Sequence, residues 1–231
     1  MVDKFLTNSV FFGAVLSLLA YEIGLLAKKK FKLAILNPLL LAVLCVIGVL
    51  LVFDIDYKQY NEGAKYISYL LTPATVCLAV PLYEQLTLLK QNLKAVLAGI
   101  LSGVLASLVS VWGLSLLFGL NHEQYVTLLP KSITTAIGMG ISEELGGIVA
   151  ITVASIIITG ILGNVIAEFI YKVFKIEHPI AKGLALGTAS HAIGTSKAME
   201  LGEIEGAMSS LAIAVAGLLT VIGASIFAGL I

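Results

Sequence analysis

Apolar runs of about 20 residues recur from one end of this 231-residue chain to the other, separated only by short polar loops. Each run is long enough to cross a bilayer as a helix, which satisfies every backbone donor and acceptor within the segment. Composition agrees: mean hydropathy is +1.04 and 12% of residues are charged, against roughly 25% in soluble domains. The formal net charge is zero, so no basic surface marks a nucleic-acid partner. The loops leave no room for a soluble domain. The expectation is an all-α fold: a polytopic membrane helical bundle forming a single integral membrane domain over 1–231.

Full spans are expected near 6–27, 33–53, 66–89, 95–119, 147–171 and 207–230. The first run ends in Lys28-Lys29-Lys30 and lacks the small-residue cleavage pattern of a leader, so it reads as a transmembrane helix. Two further stretches, 127–145 and 181–200, are apolar but interrupted by Gly, Ser, Thr and Lys. Lysines set the orientation. Lys28, Lys29, Lys30 and Lys32 follow the first span, Lys90 and Lys94 the third, and Lys172, Lys175 and Lys182 the 147–171 span. All three clusters belong in the cytoplasm, and the acidic stretch from Asp54 to Glu62 belongs outside. The 95–119 span then ends outside and the 147–171 span begins there. The stretch 127–145 must therefore enter and leave on one side, as a re-entrant segment or a pair of half-helices. If 181–200 crosses, the triplets 33–53, 66–89, 95–119 and 147–171, 181–200, 207–230 run in opposite senses, about 115 residues apart. That layout is inverted-repeat and transporter-like, with pseudo-repeats of about 1–115 and 116–231, two broken helices and one re-entrant segment.

The middle element of each triplet carries helix breakers. Pro73 and Pro81 each remove a backbone donor and clash with the preceding turn. Gly187 and Gly194, among Thr188, Ser190, Thr195 and Ser196, loosen the second. Two such segments at matching positions point to half-helix N-termini facing a cavity. Their free N–H groups and partial positive charge suit an anion such as a carboxylate. The alternative is a pair of kinked helices packed through small residues.

His191 is the only histidine inside an apolar region. It reads either as a hydrogen-bonded packing residue, or as a donor to a carboxylate and a proton carrier in symport. Pro130, suited to a first helical turn, opens Pro130-Lys131-Ser132-Ile133-Thr134-Thr135. Lys131 either holds an anion at depth or snorkels to the interface. The candidate substrate contacts are Thr75, Lys131, Ser132, Thr135, Ser190, His191 and Thr195, with helix breaks at Pro73, Pro81, Pro130, Gly187 and Gly194. Cys45 and Cys77 lie in apolar runs at no metal-binding spacing. Gly-x-Gly-x-x-Gly, Walker A and His-Glu-x-x-His patterns are absent, as is any nucleophile–base pair, so no enzyme activity, metal or cofactor is expected.

At these residues the sequence resembles the LrgB/CidB family of bacterial membrane proteins. The motifs that carry the resemblance are Leu36-Asn37-Pro38-Leu39-Leu40, Leu71-Thr72-Pro73-Ala74-Thr75 and Pro81-Leu82-Tyr83-Glu84-Gln85 in the first half. In the second half they are Leu129-Pro130-Lys131-Ser132-Ile133-Thr134-Thr135, Gly146-Gly147-Ile148 and the stretch from Gly187 to Thr195. They run in order along essentially the whole chain. One departure stands at Ala136, where family members often have proline, which bears on how sharply the re-entrant segment breaks.

The resemblance implies two functions. One is antiholin-like: modulation of murein hydrolase export and autolysis beside a small LrgA/CidA-type membrane partner. The other is transport of small carboxylates such as pyruvate, as implied by bacterial relatives and by a plastid glycolate/glycerate transporter that fuses both components. The paired broken segments favour transport, since a holin-like pore needs oligomerising amphipathic helices. A homodimer in the bacterial plasma membrane, in contact with lipid and a carboxylate substrate and with no nucleic acid, is the expectation.

Overall fold

The computed structural model describes residues 9, 11–31, 37–77 and 79–231; among them every regular element is a helix. The side chains of residues 71, 72, 75, 81 and 82 lie outside that description. The chain packs as two compact units, Met1–Cys77 and Leu78–Ile231.

The first unit holds α1 (Phe12–Phe31), α2 (Pro38–Val52), α3 (Tyr57–Ser68) and α4 (Leu71–Cys77). The Asn37 side chain accepts from Leu39 N and Leu40 N, and Pro38 follows where a missing N–H costs nothing, so α2 begins sharply. α1 packs on α2 and α3, with Ser17 Oγ 2.7 Å from the Tyr60 hydroxyl. Pro73 lies inside α4.

The second unit holds α5 (Ala79–Glu84), α6 (Leu86–Gln91), α7 (Leu93–Phe118), α8 (His122–Leu128), α9 (Thr135–Glu144), α10 (Val149–Val173), α11 (Pro179–Leu201) and α12 (Glu203–Ala228). α7, α10 and α12 are each long and apolar enough to cross a membrane, and they coincide with the expected spans 95–119, 147–171 and 207–230. Val96, Ile100, Val104, Leu108 and Val111 recur at helical spacing on one face of α7. They join Met208, Ala212, Ala216 and Ala224 of α12 and Tyr125 and Leu129 beside α8 in one core. The expected span 66–89 is a succession of short helices, with Pro81 inside α5, and α5 packs against α12.

Two helical hairpins fill the spaces between the long helices. The first covers 122–144. Asn121 opens α8 with a capping box closed by Gln124. Pro130 can supply no donor, and the chain runs through turns from Leu129 until α9 begins at Thr135. The two arms then close on a buried knot: Thr152 Oγ1 lies 2.8 Å from Thr127 O and 2.7 Å from Ser142 Oγ, and Ile148 N donates to Thr127 Oγ1 at 2.8 Å. The stretch thus enters and leaves at the same end, as two half-helices.

The second hairpin is α11 itself. Its backbone leaves the helical region at His191 (φ 42, ψ −137), and the contacts on either side show that the chain reverses there. Before His191, Tyr171 OH bonds Lys182 O and Ser190 packs on Gly163, so α11 runs antiparallel to α10. After it, Asn164 bonds Ile193 O and Glu168 pairs with Lys197, so the chain runs parallel to α10. A Cβ on Gly194 would lie 2.5 Å from Leu186 O, eight residues back, where a straight helix would separate them by about 12 Å. The expectation that 181–200 crosses is therefore corrected. It returns to its own end, because the reversal at one residue consumes the whole segment. α12 then runs in the same sense as α7, and its C-terminus meets the end of α7: His122 Nδ1–H donates to Ile231 O at 2.7 Å and Tyr125 OH to Phe227 O at 2.9 Å. The opposed triplets that depended on a crossing do not follow.

Candidate functional site

The two tips reach the middle of α7 from opposite ends. Ser107 Oγ donates to Ser132 Oγ of the first hairpin at 3.0 Å. One helical turn away, Gly103 faces Thr188 of the second, whose Oγ1 would lie 2.8 Å from a Cβ there. Both positions are near the centre of a 26-residue helix. On α10 the tips are likewise adjacent: Ile156 packs on Gly138 of the first hairpin, and its carbonyl accepts from His191 Nε2–H at 3.0 Å.

Between α7, α10 and the first arm of α11 lies a cavity of 1070 Å³. Near the tips its polar lining comes from Ser107 and Ser110 of α7, Lys131 and Ser132 of the first tip, and Thr188 and Ser190 of the second hairpin, with Asn92, Ser102, Thr159 and His178 elsewhere on the wall. Leu162, Ile166 and Leu184 give apolar walls, and among the described residues no carboxylate lines it.

The hydrogen-bond directions fix what this wall can hold. Ser132 Oγ accepts from Lys131 Nζ at 3.0 Å and from Ser107 Oγ at 3.0 Å. Both its lone pairs are then engaged, which leaves its own proton to donate. The Lys131 ammonium keeps two further N–H groups and has no carboxylate partner among the described residues. The tip therefore presents donors and positive charge without a competing carboxylate among the described residues. Such an arrangement is chemically suited to an anion, whose attraction strengthens where the effective dielectric is low.

The remaining candidates stand apart from this wall. His191 is buried, with its ring turned to α10. Thr195 is buried too: its hydroxyl donates to His191 O at 3.0 Å and lies 2.7 Å from Ser209 Oγ on α12. Thr135 is the first residue of α9. Pro130 falls in the turn of the first tip, while Gly187 and Gly194 sit in helical turns on either side of His191. Gly187 serves close packing: its Cβ would lie 2.5 Å from Ser209 O of α12. Thr75 carries a side chain outside the described residues.

Ser107, Ser110 and Thr188 are lining residues that the candidate set omits. Their signal was present. Gly99, Gly103, Ser107 and Ser110 recur at three- to four-residue intervals on one face of an otherwise apolar helix.

The LrgB-like family profile matches residues 17–230. The chain belongs to the LrgB-like family. "Antiholin-like protein LrgB" of Bacillus mycoides strain KBAB4 is 41% identical over 217 residues, 94% of each chain. Proteins of the same name from Bacillus cereus strain B4264 and Bacillus anthracis strain CDC 684 / NRRL 3495 show the same identity and coverage. No solved structure matches the chain. It is thus an LrgB-family, antiholin-like membrane protein, and two of the motifs that resemble the family, 129–135 and 187–195, are the tips of the two hairpins.

Proposed function

We propose that this LrgB-family chain is a multi-pass secondary transporter of small carboxylates such as pyruvate in the bacterial plasma membrane. The observation that carries the reading is the donor-only wall of Lys131 and Ser132, with Ser107 behind it, set at mid-depth in a cavity between two hairpin tips. Broken elements meeting near the midplane are where transporters bind substrate. The carboxylate takes the Lys131 ammonium and the Ser132 proton, in a cavity whose wall includes Ser190 of the second hairpin. The lysine-rich end of the unit, with Lys94, Lys172 and Lys182, faces the cytoplasm, and the Ile231 end faces out. An LrgA-type protein assists as partner, and the chain works as a homodimer.

The names of the relatives favour a second reading, antiholin-like control of murein hydrolase export and autolysis. One experiment separates the two. Labelled pyruvate uptake is measured in proteoliposomes holding this chain, alone and with an LrgA-type protein. Saturable uptake, abolished by an excess of unlabelled pyruvate, supports transport. Leakage of larger solutes without saturable uptake overturns it in favour of the second reading.

A further inference from the structure

The tip of the second hairpin reverses at His191, not at a glycine, although the neighbouring Gly187 and Gly194 could adopt such a backbone freely. What holds His191 in place lies on α10. Gly160 and Gly163 leave a slot one helical turn long. A Cβ on Gly160 would lie 2.8 Å from His191 Nε2, and one on Gly163 would collide with Ser190 Oγ. Inside the slot the imidazole donates from Nε2 to Ile156 O at 3.0 Å. The Asn164 amide reaches the other side of the reversal and donates to Ile193 O at 3.0 Å. The ring is thus engaged with the backbone of α10. Ser190, next to it, lines the cavity, while His191 does not.

We propose that docking of this tip into the two-glycine slot of α10, through the His191 ring and the Asn164 amide, is what holds Ser190 in its place in the cavity wall, with its hydroxyl seated over Gly163. His191 is a positioning residue: it neither touches the substrate nor carries a proton. This rests on the transport reading above for its kinetic consequence, but not for its structural one.

Two readouts test it. The first is uptake of labelled pyruvate by proteoliposomes of the wild type, His191→Gly, His191→Gln and Gly163→Ala. Glycine accepts the backbone angles but loses the ring, so the chain folds while the tip loosens. The expected result is a KM raised about tenfold, the size of one lost hydrogen bond, with the maximal rate nearly kept. His191→Gln, whose amide can still donate to Ile156 O, restores most of the affinity. Gly163→Ala displaces Ser190 directly and raises KM with His191 intact. The pH profile of uptake stays the same in every variant.

The second readout needs no substrate. Ser190→Cys, in a Cys45→Ser, Cys77→Ser background, is labelled with a small maleimide; adding His191→Gly is expected to raise the labelling rate several-fold. An altered pH profile in His191→Gln would make His191 a proton carrier and overturn the proposal. Unchanged KM and labelling in His191→Gly would do the same. Raised labelling without pyruvate uptake by the wild type would retain the docking and defeat the carboxylate reading alone.

Discussion

The two hairpins meet at the same depth and are built on opposite plans. The first turns through a loop that begins at Leu129 and closes at Thr134, and places Lys131 and Ser132 in the cavity. The second turns at one residue, contributes Thr188 and Ser190 to the cavity wall and buries its most conspicuous polar group, His191, against α10. A loop can present side chains because its backbone groups have somewhere to go. A one-residue reversal must be held by its neighbour, here through His191 to Ile156 O and Asn164 to Ile193 O. Holding a non-glycine residue at φ 42 costs roughly 1–3 kcal/mol, and that cost persists only where the surroundings fix the conformation. On the transport reading, the first hairpin therefore supplies the binding groups and the second supplies shape.

The most direct way to break this contrast is to remove the chemistry. Lys131→Met keeps a similar length and apolar stem but loses the charge. It is expected to weaken pyruvate binding by about 1.5–3 kcal/mol, or roughly ten- to hundred-fold in KM, with little change in thermal stability. Uptake kinetics and a melting curve in detergent check it. A stability loss with unchanged KM would assign Lys131 to the scaffold and erase the difference between the hairpins.

The base of the first hairpin tests the other half of the contrast. Thr152 is fully buried and its hydroxyl serves both Thr127 O and Ser142 Oγ. Thr152→Val keeps the volume and strands those partners. The expected loss is about 1–3 kcal/mol, the penalty for buried polar groups left unpaired, read as a lowered melting temperature. Since the knot lies away from the cavity, the KM of the folded fraction should hold. A raised KM at unchanged stability would mean that the knot sets the tip and not merely the arms.

How far the sequence announced this arrangement follows from what each feature costs the pattern. The three long helices were legible because a membrane demands about 20 apolar residues at a stretch. The first hairpin was legible from charge parity: the Lys172 and Lys175 cluster fixes one end of α10, and no crossing could fit into 127–145. The second hairpin was not, because its arms have the same composition as a crossing helix and the reversal falls on a histidine with no Gly, Pro, Asn or Asp directly beside it. Only the slot on α10 allows it, and Gly160 and Gly163 look like ordinary small residues of a membrane helix. Lys131 and Ser132 stood out as polar residues at depth, whereas Ser107 behind them showed only through its place on the Gly99, Gly103, Ser107 and Ser110 face of an apolar helix.

Ser107 sharpens the comparison on a finer scale. If Ser132 donates to the substrate because Ser107 occupies one of its lone pairs, Ser107→Ala frees the Ser132 hydroxyl to rotate. The expected effect is about 0.5–1.5 kcal/mol, a KM raised roughly two- to tenfold in the same uptake assay. No change would mean that Lys131 alone orients Ser132.

The smallest effect is expected at the base of the second hairpin. Lys197, with 15% of its side chain exposed, lies 2.6 Å from Glu168 on α10 and 3.3 Å from Glu200 on its own arm. The pair fastens the returning arm to α10, but both carboxylates are half exposed, so solvent and salt screen the attraction. A double-mutant cycle of Lys197→Gln and Glu168→Gln, read by thermal melting, should give a coupling of about 0.2–1 kcal/mol that shrinks as salt is added. That size would place the hold on this hairpin at its tip, where His191 and Asn164 bind backbone carbonyls out of reach of salt. A coupling several times larger and insensitive to salt would move it to the base, and the second hairpin would then resemble the first, whose arms are locked by the Thr152 knot rather than by the tip.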